Sequence, residues 1–449
     1  MFDDEIAGVL RAERERDGYL FPDYGRYCFA GVPATLGAVL GVDLPGTTLP
    51  EGVLADVEGV AGTDPGDDAD FDRVCHVLVD GFGYEQWRRE VDADRDVPAS
   101  LATVTEATRI TPLTSIYPSE TAAAITTVHT GRTPDEHGLL GWDSYLPDAD
   151  AVVQALPFAD KRGEPADETL GVDAADLFAG RSVYERLADA GVDSVTVQPE
   201  KAATGSYSAH ALAGADSHGY DDLAGFESLL TEVLTSSTPG TYCYAYLSDV
   251  DGAAHESGTD SAQYRETLGE VFDRIAAALA GVPGAVADDT LFVLTADHGH
   301  VNTDPETNVD LWTHPFLTER MRRYETGAPE SYPPESDPRG DPLPPVGGAR
   351  NVHLHLRPGT VGEVTDYLEE TFDGRAFTRE EAISRELFGG RGVSQRFRRR
   401  CGDVVFVHRR KAIWRGDEPG KLGYVGWHGG LTPEEMLTPF AVAPLSALV

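Results

Sequence analysis

Lysine is almost absent from this 449-residue chain: Lys161, Lys201, Lys411 and Lys421 are the only four. Asp and Glu total 76 against 36 Lys and Arg, for a formal net charge of −40. Such a surface repels nucleic-acid backbones and anionic lipid, which excludes polymer binding over most of the molecule. The acids are spread along the chain rather than gathered in one tail, which disfavours a dedicated cationic partner. The pattern resembles proteins of salt-loving organisms, where concentrated salt screens self-repulsion, and a haloarchaeal source is expected. No apolar run approaches the ~18 residues of a membrane span. The acidic start, Met1-Phe2-Asp3-Asp4-Glu5, lacks the basic and apolar regions of a secretory signal. Cysteine is limited to Cys28, Cys75, Cys243 and Cys401, with no CxxC pair. Buried free thiols in a reducing, cytoplasmic setting are therefore expected, and no cysteine metal site. Gly81-Phe82-Gly83 lacks the third glycine of a dinucleotide fingerprint, which argues against a redox enzyme with a nucleotide cofactor.

What is present is a core-forming α/β pattern. Apolar residues make up 41% of the sequence. Buried strands are expected at 74–79, 194–197, 241–247, 291–295, 351–356 and 403–408. Helices are expected at 122–130, 182–190, 226–234, 262–279 and 361–372. Alternating strands and helices predict a central, mostly parallel sheet sandwiched between helices. Residues 1–70, including an acidic loop from Thr63 to Asp70, read as an N-terminal extension packed on the core. Residues 71–449 read as the catalytic domain, with a smaller inserted subdomain near 300–425. Residues 325–348 are rich in Pro and Gly and read as a loop.

Three of the apolar strands end in possible metal ligands. The first is followed by Asp80, the third by Asp249, Asp251 and His255, the fourth by Asp297 and His298. In open parallel sheets ligands bind beyond the carboxyl ends of the strands, and Asp and neutral His suit zinc. Asp251 and His255 are four apart, so one helical turn can aim both the same way. Asp297 and His298 are adjacent, so both can face one ion only where the chain has left the strand.

The order Asp80-Gly81, Tyr117-Pro118-Ser119-Glu120-Thr121, Thr130-Gly131-Arg132-Thr133-Pro134-Asp135-Glu136-His137-Gly138, Asp251-Gly252-Ala253-Ala254-His255, Asp297-His298-Gly299 and His428-Gly429-Gly430 resembles the type I phosphodiesterase / nucleotide pyrophosphatase branch of the alkaline phosphatase superfamily. The resemblance implies an alkaline phosphatase-like fold and a site for two divalent metal ions, zinc first and manganese second. Asp251, His255 and His428 would hold one ion; Asp80, Asp297, His298 and Thr121 would hold the other. It implies hydrolysis of a small-molecule phosphodiester or pyrophosphate through a phosphothreonine on Thr121, with a phosphomonoesterase or phosphomutase as the rival on the same scaffold. A non-catalytic metal- or partner-binding protein is the rival of another class.

A threonine hydroxyl is a poor nucleophile until a metal lowers its pKa. As the residue that opens an apolar helix, Thr121 would also bring backbone N–H groups to the phosphate. No Asn lies near it in sequence to serve as the branch's phosphate-binding Asn. His129, Arg132 and His137 read as structural, Tyr84 and Trp87 as core. His353 and His355 alternate on one strand as a weak third ligand set. The basic run Arg396, Arg398, Arg399 and Arg400 reads as pairing with surface carboxylates.

Overall fold

The computed structural model describes residues 1–54, 71–92, 97–325, 340–410, 413–414, 421 and 423–449. The expected acidic loop at Thr63 to Asp70, and residues 326–339 of the Pro/Gly-rich loop, lie outside the described residues.

The continuous burial expected of strands covered on both faces organises the core. Every residue of Arg73–Val79 is buried. Cys75, Val77 and Val79 pack with Leu230, Leu268 and Phe272 from helices Leu223–Ser236 and Ala262–Ala280 on one side. Val74 and Leu78 pack with Leu36, Val128 and Leu187 from helices Val32–Val39, Thr121–Thr130 and Val183–Asp189 on the other. Successive side chains of a strand leave opposite faces, so two helical layers enclose one sheet.

That sheet has seven strands, in spatial order Arg109–Thr114, Leu437–Pro444, Thr290–Thr295, Arg73–Val79, Thr241–Leu247, Asp193–Pro199 and Asp216–Tyr220. The last five are parallel to one another. Leu437–Pro444 runs antiparallel to both its neighbours. It and Arg109–Thr114 escape the sequence pattern because each carries a proline, which removes a ladder donor and demotes a run as a strand candidate. Pro112 and Pro439 stand opposite each other in the register. The free side of Arg109–Thr114 is met by the N-terminal segment, with Phe2 bridging Ile110 and Cys28 bridging Thr114. All four cysteines are free and buried.

A second sheet has six strands, in order Gly374–Thr378, Val404–His408, Asn351–Leu354, Val346–Gly347, Asp143–Leu146 and Ala151–Gln154. Two of these come from residues 143–154, well before the 300–425 stretch expected to hold a subdomain. No helix among the described residues is long and apolar enough to cross a membrane.

Candidate active site

The carboxyl ends of the central parallel strands converge on one polar centre. Asp80 follows Arg73–Val79 directly, across a turn in which Gly81 takes φ +70°. A Cβ at Gly81 would lie 2.7 Å from His300 Nε2, so conformation and space both demand glycine there. Helix Asp249–Ser257 follows Thr241–Leu247 and carries Asp251 and His255 on one face, with His255 Nε2 3.6 Å from Asp251 Oδ1. Asp297 and His298 lie beyond the end of Thr290–Thr295 and are fully buried.

Helix Thr121–Thr130 opens on Thr121, with Glu120 in the N-cap position. The Thr121 hydroxyl therefore does not cap its helix. It lies 3.4 Å from Asp80 Oδ1 and 3.0 Å from His298 Nε2. His428 arrives from the far end of the chain and stacks on His298, with ring centroids 3.7 Å apart. The structure thus gathers the seven residues assigned to the two ions from sequence, whereas Asp249, the other strand-end candidate, joins no ligand set among the described residues. Asp251, His255 and His428 form one possible ligand set, and Asp80, Asp297 and His298 another.

The imidazole tautomers test whether these groups suit metal ions. Nδ1 of His255 lies 2.7 Å from Gly426 O, Nδ1 of His298 3.1 Å from Gly299 O, and Nδ1 of His428 3.2 Å from Ser119 O. A carbonyl can only accept, so each Nδ1 carries the proton and each Nε2 presents a lone pair. Those lone pairs aim inward. His428 Nε2 faces His255 Nε2 at 3.2 Å, and His298 Nε2 faces Asp80 Oδ1 and Asp297 Oδ2, each at 3.3 Å. Burial holds the imidazole pKa values down, to about 4 for His255 and lower than usual for His298 and His428. All three are therefore neutral near pH 7. Burial, reinforced by Asp297 and Asp251, pushes the Asp80 carboxyl well above the usual range. Asp297 Oδ2 is buried without a hydrogen-bond partner. Converging lone pairs and crowded carboxylates, with no cationic side chain among them, are what divalent ions would satisfy.

The sequence matches the type I phosphodiesterase / nucleotide pyrophosphatase family over residues 74–431. The chain belongs to that family. It is accordingly a phosphoric ester hydrolase of the alkaline phosphatase superfamily. Among solved structures it resembles murine ectonucleotide pyrophosphatase / phosphodiesterase 5, with a TM-score of 0.59 at 14% identity, over 82% of this chain and 87% of that one. The human counterpart gives 0.59 at 13%, with the same coverage. Phosphonoacetate hydrolase from Sinorhizobium meliloti, in complex with phosphonoformate, gives 0.53 at 17%, over 84% of this chain and 93% of that one. At these identities the likeness speaks for the fold alone. No curated protein matches the sequence.

Several groups of this hydrolase's site carry no local sequence signal. His300 Nε2 lies 2.8 Å from Asp251 Oδ1, and Asp251, His298 and His300 form a third possible ligand set. The Tyr246 hydroxyl donates to Asp80 Oδ2. Beside Thr121 opens a cavity of about 350 Å³ whose walls include Glu120, Trp142, Lys421, Tyr424 and Trp427. The Lys421 ammonium sits 5.1 Å from the Trp142 ring centroid. Glu120 Oε1 accepts from the Trp142 backbone N–H at 2.6 Å, and burial pushes the Glu120 carboxyl up to about 8.

Other sequence candidates fall outside the site. His129 meets the Tyr184 hydroxyl, and His137 meets Thr127. His353 is held between Cys401 O and Asn351 Oδ1, and neither it nor His355 joins a ligand cluster among the described residues. Tyr84 and Trp87 are core residues. Asn351, 230 positions after Thr121, packs near Glu120, but its amide binds Leu140 O and accepts from the Tyr117 hydroxyl.

The loop that delivers His428 is braced from behind. Glu435 accepts from Gly430 N at 2.9 Å and from Thr432 Oγ1 at 2.7 Å, and pairs with the fully buried Arg350 at 2.8 Å. Replacing Glu435 by Gln strands that guanidinium without its countercharge, which costs about 3 kcal/mol. Urea denaturation of Glu435→Gln should show this loss. Dialysis against a metal buffer should also show weaker metal retention, because His428 loses its anchor.

Proposed function

We propose that this hydrolase cleaves phosphodiester or pyrophosphate bonds in small molecules, with Thr121 as nucleophile and two divalent ions, zinc before manganese. The single observation behind this is that three histidines turn Nε2 lone pairs toward the carboxylates and hydroxyl that surround Thr121. Asp251, His255 and His428 would hold one ion. Asp80, Asp297, His298 and Thr121 Oγ1 would hold the other. The ions would lower the threonine pKa and neutralise charge on the phosphoryl oxygens.

The chain's own groups supply the rest. Tyr246 donates to Asp80 and fixes the carboxylate facing Thr121. Helix Thr121–Thr130 directs its unpaired N-terminal N–H groups toward the phosphoryl position. Thr121 Oγ attacks phosphorus, the ester oxygen leaves, and water then cleaves the phosphothreonine. The substituent on phosphorus would lie in the cavity walled by Trp142, Tyr424 and Trp427. A nucleotide is one such substituent, since an inactive threonine-to-alanine form of the murine relative was solved with AMP.

Lys421 in that cavity is the observation that favours the rival reading, since a free phosphate or anionic leaving group would gain from a cation there. The deciding measurement is hydrolysis of bis-p-nitrophenyl phosphate against p-nitrophenyl phosphate, before and after chelation. The diester should be the faster substrate. Chelation should abolish turnover, and added zinc or manganese should restore it. Faster monoester cleavage would replace the diesterase with a phosphatase or mutase.

We further infer a cytoplasmic protein adapted to concentrated salt, on the strength of its −40 charge, its four lysines and its free buried thiols. We also take residues 71–449 as one catalytic unit, with the second sheet as its appended part.

A further inference from the structure

The basic run singled out in the sequence is only half neutralised in the fold. Arg398 pairs with Glu380, and Arg399 makes two bonds to Asp148 at 2.6 and 2.8 Å. Arg396 and Arg400 do something else. Arg396 Nη1 bonds Ala175 O at 3.1 Å and Asp176 O at 2.6 Å. Arg400, which is buried, bonds Gly138 O at 3.2 Å and also the carbonyls of Asp176 and Leu177. Among the described residues, no carboxylate hydrogen-bonds either guanidinium.

Carbonyl dipoles orient a buried cation but do not neutralise it. Burial, with Arg396 and Arg399 adding repulsion, pushes the Arg400 guanidinium down to about 9. Helix Gln395–Arg400 places positions 396, 399 and 400 at i, i+3 and i+4, so the three charges share one face. That face lines a cleft of about 320 Å³, closed opposite by Leu146, Asp148 and Asp176. The three guanidinia on this turn outnumber the two carboxylates in the cleft wall, Asp148 and Asp176, in a chain that is otherwise strongly acidic.

We propose that this cleft binds a phosphomonoester dianion at a site separate from the metal centre. Guanidinium groups match phosphate oxygens with paired N–H donors. The cleft is larger than a bare anion needs, and Leu146 and Val172 give its wall an apolar section for an organic substituent. None of its lining residues lines the cavity beside Thr121.

Two paths join the sites, one along the chain and one through hydrogen bonds. Strand Asp143–Leu146 runs from Trp142, in the wall of the active-site cavity, to Leu146 in the wall of this cleft. Arg400 also holds the carbonyl of Gly138, which closes helix Pro134–His137, and His137 Nε2 lies 3.2 Å from Thr127 Oγ1 in the helix that Thr121 opens. A phosphomonoester is what phosphodiester hydrolysis leaves behind, so product feedback is a natural use. That use rests on the diesterase reading, whereas the binding itself does not.

The test is calorimetric titration of phenylphosphonate, a non-hydrolysable phosphate-class dianion, into metal-loaded protein at fixed high KCl. Wild type should show two sites, one of which competes with substrate. The double variant Arg396→Gln/Arg399→Gln should lose the non-competing site, binding there about tenfold or more weaker, while diester hydrolysis is unchanged. Asp148→Asn frees Arg399 from its carboxylate and should tighten the same site severalfold, an effect that disrupted folding cannot mimic. Inorganic phosphate should bind this site more weakly than phenylphosphonate. A single competing site in wild type, an unaltered second site in the double variant, or equal affinity for phosphate and phenylphosphonate would each overturn the proposal. Failure to hydrolyse any phosphoester would count against the proposed reaction and leave this binding result standing.

Discussion

Thr121→Ala should abolish hydrolysis while the protein keeps its fold and its metal. Removing a nucleophile that works together with its activating groups typically costs about 10³- to 10⁶-fold in turnover. Local packing permits the change. Thr121 opens helix Thr121–Thr130, followed by Ala122, Ala123 and Ala124, and alanine is the best helix former. Among the described residues the Thr121 hydroxyl bonds only Asp80 and His298, so its loss frees no backbone group there. Asp251, His255 and His428 form a ligand set that does not include Thr121 and should retain an ion. The measurements are turnover of bis-p-nitrophenyl phosphate and metal content by elemental analysis, with Thr121→Ser as companion. Serine keeps the hydroxyl and should keep partial activity. It should also trap ³²P from a labelled diester in an acid quench, as should wild type. Retained turnover in Thr121→Ala would mean that water attacks directly, and Thr121 would then be only a ligand or a helix-opening residue.

How far the sequence announces this site depends on whether the signal is local. Asp80, Asp251, His255, Asp297 and His298 are each visible because a buried, apolar strand precedes them, and parallel-sheet topology sends all such strand ends to one edge. His428 has no such strand before it and is legible only through family order. His300 is hidden for another reason. It sits two residues past His298, where strand-like alternation would put it on the same side, but the Gly299 turn decides where it goes. It meets Asp251 only because Gly81 leaves the space. The cavity wall is less legible still. Trp142 comes from one stretch and Lys421 and Tyr424 from another far along the chain, and only the fold brings them to one cavity. In the central sheet three strands go unannounced: the two with Pro112 and Pro439, and the edge strand Asp216–Tyr220, whose Asp-Ser-His-Gly-Tyr carries no apolar run. The arginine run shows the limit of composition. Counting charges predicts pairing, and pairing holds for Arg398 and Arg399. Only the fold reveals that Arg396 and Arg400 turn to main-chain carbonyls.

Stability should collapse on mild acidification, between about pH 6.5 and 5, well above where surface carboxylates titrate. Five histidines away from the candidate metal ligands are buried as neutral rings. Burial holds His76, His129, His137 and His355 down to about 3, and His353 to about 4. Packing holds each ring in place, and hydrogen bonds reinforce it at His76, which spans the Tyr242 hydroxyl at 2.9 Å and Thr295 Oγ1 at 2.8 Å. Unfolded, each ring takes up its proton near pH 6.5; folded, it does not until pH 3 to 4. The unfolded state therefore binds more protons throughout this window, and stability falls with pH by about 1.4 kcal/mol per unit per ring. Over the five rings the loss between pH 6.5 and 5 reaches about 8 kcal/mol.

Two buried carboxyls work in the opposite sense. Burial raises Asp135 to about 6 and Glu120 to about 8, so both gain stability as they protonate in the fold. They return about 3 kcal/mol over the same interval. The net loss, about 5 kcal/mol, is comparable with the whole stability of many domains. Calorimetric Tm values at fixed KCl and fixed metal should therefore fall steeply from pH 6.5 to 5. His129→Asn, whose amide takes the place of the Nδ1 that meets the Tyr184 hydroxyl, should lower the slope by about one proton. A Tm that stays flat across this range would mean that these rings reach solvent or find a counterion in the fold, and their placement in the core would have to be redrawn.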